Sequence, residues 1–456
     1  MPRDPHANTA RLLEWWREAD PGPPGFLPSY SARDQARREA HLDRYLVAVE
    51  TELRAAPRTR PEQAAAEERL TAAFRVFARE ALDFEDRHLD LLLAGGFTGT
   101  GRELARAARL FDPSMSAGDI FQASRNAWTA NGLQILLGLP ARLTPAIFGY
   151  SMLYPCTDNY LDQPAVSKAD KHAFNRRFGA RLAGDNLPPA GRHEEQVWAL
   201  VGLIESQYSR ADYPEVFASL SAIQRAQERS LQLHHAARQA EARPTLPVID
   251  PQPHVGHASA CQGSPPGADD VIEISFEKGG ASVVADAWLA AGALAPSEAD
   301  FAFAWGVALQ LGDDLQDVGA DARDGIRTVF SEAAAREPLD AVTNRTFDFG
   351  ARVLAGLDGI GAAAPPAIKE LIPTSFFMLL TGAVGEARQR YSAAYVRELE
   401  RRSPFTFDFL QRRRRRFTRK RGILERLAGA FAAGEPIDAG PREARAASLP
   451  CYTFQF

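Results

Sequence analysis

The chain has 456 residues and a formal net charge of −5; 45% of its residues are hydrophobic and 24% charged. That balance excludes a disordered chain, gives no overall charge case for a nucleic-acid partner, and fits a globular protein with a sizeable core. Cys156, Cys261 and Cys451 show neither metal-type spacing nor a disulfide framework, and "MPRDPHANTARLLEWWREAD" has no apolar signal core, so a cytoplasmic protein is expected.

In chain order, a short N-terminal helix leads into the irregular stretch "DPGPPGFLPSYS" (20–31). Apolar residues then recur at helical period over 32–56, 61–94, 118–138, 144–163, 193–210, 214–241, 269–292, 296–317 and 366–400. Strand-like composition is confined to "VIEISFE" (271–277), whose spacing also fits a helix. The expected class is all-α. The expected layout is a helical extension over 1–110, a main helical domain over 111–435 and a tail over 436–456. Six prolines in 241–269 exclude a regular helix there, leaving either a mobile cover over a site or a surface insertion. "LIPTSFFMLLTGAVG" (371–385) is short and interrupted for a bilayer span and reads as a buried helix, so no transmembrane segment is expected.

"FAFAWGVALQLGDDLQD" (301–317) closes an apolar helix with three carboxylates. Residues three and four apart share a helix face, so Asp313 and Asp317 stack, Asp314 sits beside them, and Gln310, Val307 and Phe303 lie below. Such a cluster is self-repelling, and more so at a helix C-terminus, where the backbone dipole is negative. A cation must compensate. In "SMLYPCTDNYLDQ" (151–163) a second apolar helix carries Asp158 and Asp162 at i and i+4, above Tyr154 and Ser151. Pro155 lacks an N–H and is expected to bend that helix. Facing each other, the two clusters would make an oxygen-lined rim over an apolar cavity. Mg2+ suits such a rim, because it binds through one or two carboxylates plus water and substrate phosphates.

With these pieces in place, the chain resembles the class I isoprenoid synthases, above all the all-trans prenyl diphosphate synthases. "LQLGDDLQD" is similar to their second aspartate-rich motif, with Leu309 at the usual Phe position. "GADARDGIRT" (319–328) is similar to the stretch that follows it, and "KGGASVVADAWLAAGAL" (278–294) to the helix that opens on a Lys. "DNYLD" resembles a degenerate first motif, with Asn159 at its second Asp. The resemblance implies a catalytic helical bundle around a central cavity, in the region 111–435. It implies that Asp158, Asp162, Asp313, Asp314 and Asp317 hold Mg2+, by the family's pattern as three ions with substrate bound. It also implies that the chain ionises a prenyl diphosphate, with Lys278 and Arg327 on the diphosphate. Two departures shape the expected reaction. No early Gly-Lys-Arg-Pro-like stretch is present in 1–110, and the Arg176–Arg177 pair comes late after "DNYLD". Both favour a terpene synthase or cyclase over its alternative, a prenyltransferase working by chain elongation or head-to-head condensation.

Further candidates surround these motifs. Arg125 and Asn126 interrupt the apolar run 123–138 and are candidates to point into the cavity, with Trp128 lining it. Arg225, Arg229 and Gln232 share a face, and Arg225 is a candidate diphosphate ligand with Gln310. Gly279 and Gly280 signal either a close approach to substrate or tight helix packing. The run "QRRRRRFTRKRG" (411–422) reads first as a solvated helix; peripheral contact with anionic lipid and a gate for a polyanionic substrate are the alternatives.

Overall fold

The structure, a computed structural model, describes residues 5–55, 59–94, 96–241 and 268–419; the proline-rich stretch and the 436–456 tail lie outside the described residues. Among the described residues all regular structure is helical. The first helices are α1 (Pro5–Glu18), α2 (Ala32–Ala55), α3 (Arg60–Leu82), α4 (Asp86–Ala94), α5 (Phe97–Phe111) and α6 (Ala117–Leu136). They are followed by α7 (Pro145–Asp162), α8 (Lys168–Ala183), α9 (Arg192–Gln207), α10 (Pro214–Glu241) and α11 (Ala268–Ala291). The last are α12 (Pro296–Asp324), α13 (Val329–Ala334), α14 (Asp340–Leu354), α15 (Pro366–Glu386), α16 (Ala393–Glu400) and α17 (Phe407–Arg419).

Local chemistry sets many of these boundaries. Thr59 with Glu62 and Ser116 with Asp119 form reciprocal capping boxes, and Thr144 caps α7 with Pro145 in its first turn. Gly184 and Gly325 end α8 and α12 in the left-handed region, where a glycine carries no Cβ penalty. The "VIEISFE" segment lies within α11 as helix.

Three stretches differ from the periodicity reading. The 61–94 stretch breaks because Asp83 turns left-handed (φ 58°), held there by Arg38 through Nη2 at 3.0 and 2.7 Å from its two carboxylate oxygens. The 366–400 stretch breaks after Glu386. There the backbone turns to bond the start of α14, with Leu339 N–H donating to Arg390 O at 3.0 Å and Ser392 N–H to Asp340 Oδ1 at 3.0 Å. α12 continues to Asp324, two turns beyond the expected end at 317. α7 runs through Pro155 as one helix, as the 144–163 periodicity reads.

Two large apolar cores flank α11. Phe276, Val283 and Ala287 join α1, α12, α14, α15 and α16 in one; Ala281, Ala285 and Leu289 join α5, α6, α7, α9 and α10 in the other. A helix buried on both sides must satisfy each polar side chain it carries. Ser275 bonds Asp314 of α12, Glu277 pairs with Arg229 of α10, Ser282 meets Tyr154 of α7, and Asp286 accepts from Asn126 of α6. These four contacts key α11 to four different neighbours.

The glycine pair on α11 serves the packing between helices. A Cβ on Gly279 would stand 2.6 Å from Gly306 O, and one on Gly280 would stand 2.5 Å from the Phe303 ring. No space is left for substrate along that seam. The N-terminal 110 residues are shared among the cores. Leu12 and Trp16 pack against Phe276 and Phe349, α5 enters the second large core, and α2–α4 enclose a smaller one with Phe405, Phe409 and Leu371. Among the described residues α15 alone is long and apolar enough to cross a membrane, and half of its apolar stretch is buried inside the fold.

Candidate functional site: the acidic face of α12

Four carboxylates occupy successive turns of α12: Asp313, Asp314, Asp317 and Asp321. They do not behave alike. Asp314 is 4% exposed and turned toward α11, where Ser275 Oγ donates to Oδ2 at 2.8 Å; Gln310 Nε2 donates to Oδ1 at 2.7 Å from one turn below. Burial pushes its pKa up to about 6 against these two bonds and the attraction of Lys278, with Asp313 adding repulsion. Asp313 and Asp317 face outward. Arg125 Nη2 reaches Asp313 Oδ1 at 3.4 Å from α6, with both side chains partly open to water. The packing around the Asp317 carboxylate and then repulsion from Asp313 raise its pKa, although the side chain remains open to water. Asp321 is pushed up to about 7, by burial first and then by Asp314 and Asp317, with Thr328 Oγ1 donating weakly at 3.4 Å.

Where the face meets solvent, Arg125 and Arg414 partly offset the charge of Asp317. Lys278 is half-buried near Asp314 and forms no ion pair within 4 Å among the described residues. Arg327 lies next to Thr328 but donates through Nε to Glu332 Oε1 at 2.6 Å. Arg225 is exposed, while Arg229 is committed to Glu277 and Glu273. Arg177 is bound to Glu194 at 2.9 Å.

α7 packs on α6, α9 and α11, and α12 packs on α11, α13, α14 and α15, so the two acidic helices share α11 as a neighbour. Asp158 is half-buried and accepts from Thr157 Oγ1 at 3.3 Å. Asn159 donates to Asp119 Oδ1 at 2.8 Å, which ties the end of α7 to the start of α6. The Asp162 side chain lies outside the described residues.

Four residues escape the motif reading. Asp321 extends the 313–317 spacing by another four residues and was legible from that spacing. Asp286, 2% exposed, sits among Asn126 (3.0 Å), Ser151 and the Tyr154–Ser282 pair, and burial raises its pKa well above the ordinary carboxylate value, against the bond from Asn126. Its signal was a single Asp inside an apolar run. Glu386 of α15 and Arg414 of α17 form an ion pair close enough to Asp317 that burial and Asp317 raise Glu386 while Arg414 lowers it; nothing local to either residue announces this.

Beside that pair lies a cavity of about 330 Å3. Asp317, Glu386 and Arg414 mark one part of its wall; Phe26, Phe377, Met378 and Phe405 supply apolar lining. Among the described residues no three carboxylate, imidazole or thiolate groups converge at ligation distance. Asp313 and Asp317 nonetheless offer hard oxygen donors one turn apart and open to water, a set suited to Mg2+ completed by water and phosphate oxygens. Comparison of the chain with protein-family models, curated proteins and solved structures gives no match.

Proposed function

We propose that the chain is a Mg2+-dependent enzyme of the class I isoprenoid synthase type that ionises a prenyl diphosphate on the outer face of α12. The observation that carries this reading is the solvent-facing pair Asp313–Asp317, with Asp314 locked inward beside it and Asp321 buried one turn further on. Repelling carboxylates on a packed helix lower stability unless a cation uses them. In this reading Asp313 and Asp317 hold Mg2+, which supplies charge neutralisation for the departing diphosphate. Arg125 and Lys278 bind diphosphate oxygens, Arg125 by exchanging its long contact with Asp313. Asp314, with both oxygens engaged, positions α11 against α12 and keeps Lys278 in register. The part of Asp158 and Asp162 rests on the resemblance alone.

The test is release of inorganic diphosphate from geranyl, farnesyl and geranylgeranyl diphosphate, with Mg2+ and with chelator. Turnover is expected only with metal, and Asp313→Asn or Asp317→Asn lowers it by about 100-fold or more with helicity retained. Turnover that survives the chelator, or no diphosphate release from any substrate, overturns the proposal. Product formed without isopentenyl diphosphate supports the synthase or cyclase reading; a product longer by one isoprene unit, formed only with it, supports the transferase.

A further inference from the structure

We propose that the 330 Å3 cavity walled by α12, α15 and α17 is a small-molecule site for an apolar chain with a cationic, alkylammonium-type head. The site shares Asp317 with the acidic face. The inference does not depend on the reaction proposed above, because binding is read without metal or diphosphate.

The cavity is kept open against helix propensity. Protein interiors hold few voids larger than a water molecule, and 330 Å3 falls at the lower end of the range for ligand sites. Pro373 and Gly382 both lie inside α15, where each weakens the helix, and both line the cavity. Gly382 differs from Gly279, Gly280 and Gly306, whose missing side chains let α11 and α12 touch. A Cβ at 382 would meet nothing within 4 Å, and its backbone is not left-handed. Neither packing nor a turn asks for glycine there. What the missing side chain preserves is space at the cavity wall.

The chemistry of the wall selects the ligand. Phe26 and Phe377, with ring centres 5.0 Å apart, join Met378 and Phe405 in the apolar lining. Both arginines of the wall are committed. Arg402 donates to Leu27 O at 2.7 Å and pairs with Glu398 at 3.4 Å, and Arg414 pairs with Glu386. Asp317 is the wall carboxylate with no hydrogen bond and no ion pair within 4 Å among the described residues, and it meets water. Asp313, one turn away, repels it. An ammonium at this mouth relieves the repulsion, whereas a carboxylate or phosphate adds to it. The charged head stays at the wet edge while the chain lies along the apolar lining.

The experiment is titration calorimetry of the full chain with decylammonium, hexylammonium and decanoate, near neutral pH, below their micellar concentrations and without metal. Decylammonium is expected to bind at a single site per chain. Decanoate binds roughly 25-fold more weakly, about fivefold for the attraction lost and about fivefold for the repulsion met. Each methylene removed weakens binding about fourfold, which makes hexylammonium weaker by about 200-fold. Gly382→Leu puts a side chain into the cavity and abolishes binding with circular dichroism and urea midpoint retained; Gly382→Ala, one carbon larger than glycine, still binds. Asp317→Asn lowers decylammonium affinity about fivefold and narrows its lead over decanoate. No binding, decanoate bound as tightly as decylammonium, or undiminished binding by folded Gly382→Leu overturns the inference. Each of these results stands whether or not the chain releases diphosphate from a prenyl substrate.

Discussion

Gly306→Ala tests the claim that the two glycines of α11 exist for the seam with α12. A Cβ at 306 would overlap the Gly279 carbonyl oxygen and stand 2.8 Å from Gly279 C and 3.0 Å from Gly280 Cα. All three are backbone atoms, which cannot swing aside as a side-chain tip can. In an open helix the same change is favourable by about 1 kcal/mol, because alanine loses less conformational freedom than glycine. Overpacking costs about 1–3 kcal/mol, and a backbone-to-backbone clash belongs at the upper end. The net expectation is destabilisation by about 2 kcal/mol. The control is Gly202→Ala in α9, where a Cβ would meet nothing within 4 Å; that variant is expected to gain about 0.5–1 kcal/mol. Urea denaturation followed by far-UV circular dichroism reads both, as midpoint shifts of opposite sign at similar slope. Ser275 and Lys278 sit on the same seam, so any activity falls with Gly306→Ala and is retained in Gly202→Ala. If Gly306→Ala were as stable as Gly202→Ala, the close approach of α11 and α12 would be wrong, and with it the placement of Asp314.

Two further outcomes follow from the same packing. Asp314 has a folded pKa of about 6 against the ordinary 3.8, so the folded state holds its proton more tightly than the unfolded chain does; its contribution is complete below about pH 4 and is lost, by up to about 3 kcal/mol, as pH rises to about 6. Asp314→Asn, which keeps an acceptor for Gln310 and a donor for Ser275, should reduce the fall of the urea midpoint between pH 4 and about 6, the remainder coming from Asp321 and Asp317, and an unchanged slope would count against the buried placement. Leu12→Ala removes a fully buried side chain of α1 from the core shared with Phe276 and Phe349; a loss of about 2–5 kcal/mol in global unfolding is expected, and a loss confined to local fraying of α1 would show that the first helix is an appendage.

The sequence by itself determined the all-α class and many helix starts, because periodicity, capping boxes and the Pro-first turns act within a few residues. It also determined that Asp313 and Asp317 share a face and that Arg125 interrupts an apolar run. Helical period assigns a residue to a face, yet it says nothing about which neighbour that face meets. Only the tertiary structure decided that Asp314 turns to Ser275 while Asp313 turns to Arg125 and water. The break at Asp83 depends on Arg38, 45 residues earlier, and the break after Glu386 depends on the start of α14. Arg414 is one of five consecutive arginines whose identity gives no hint of a difference. Its partner Glu386 lies on another helix, and packing alone chose which arginine of the run the fold would bury and which it would leave facing outward.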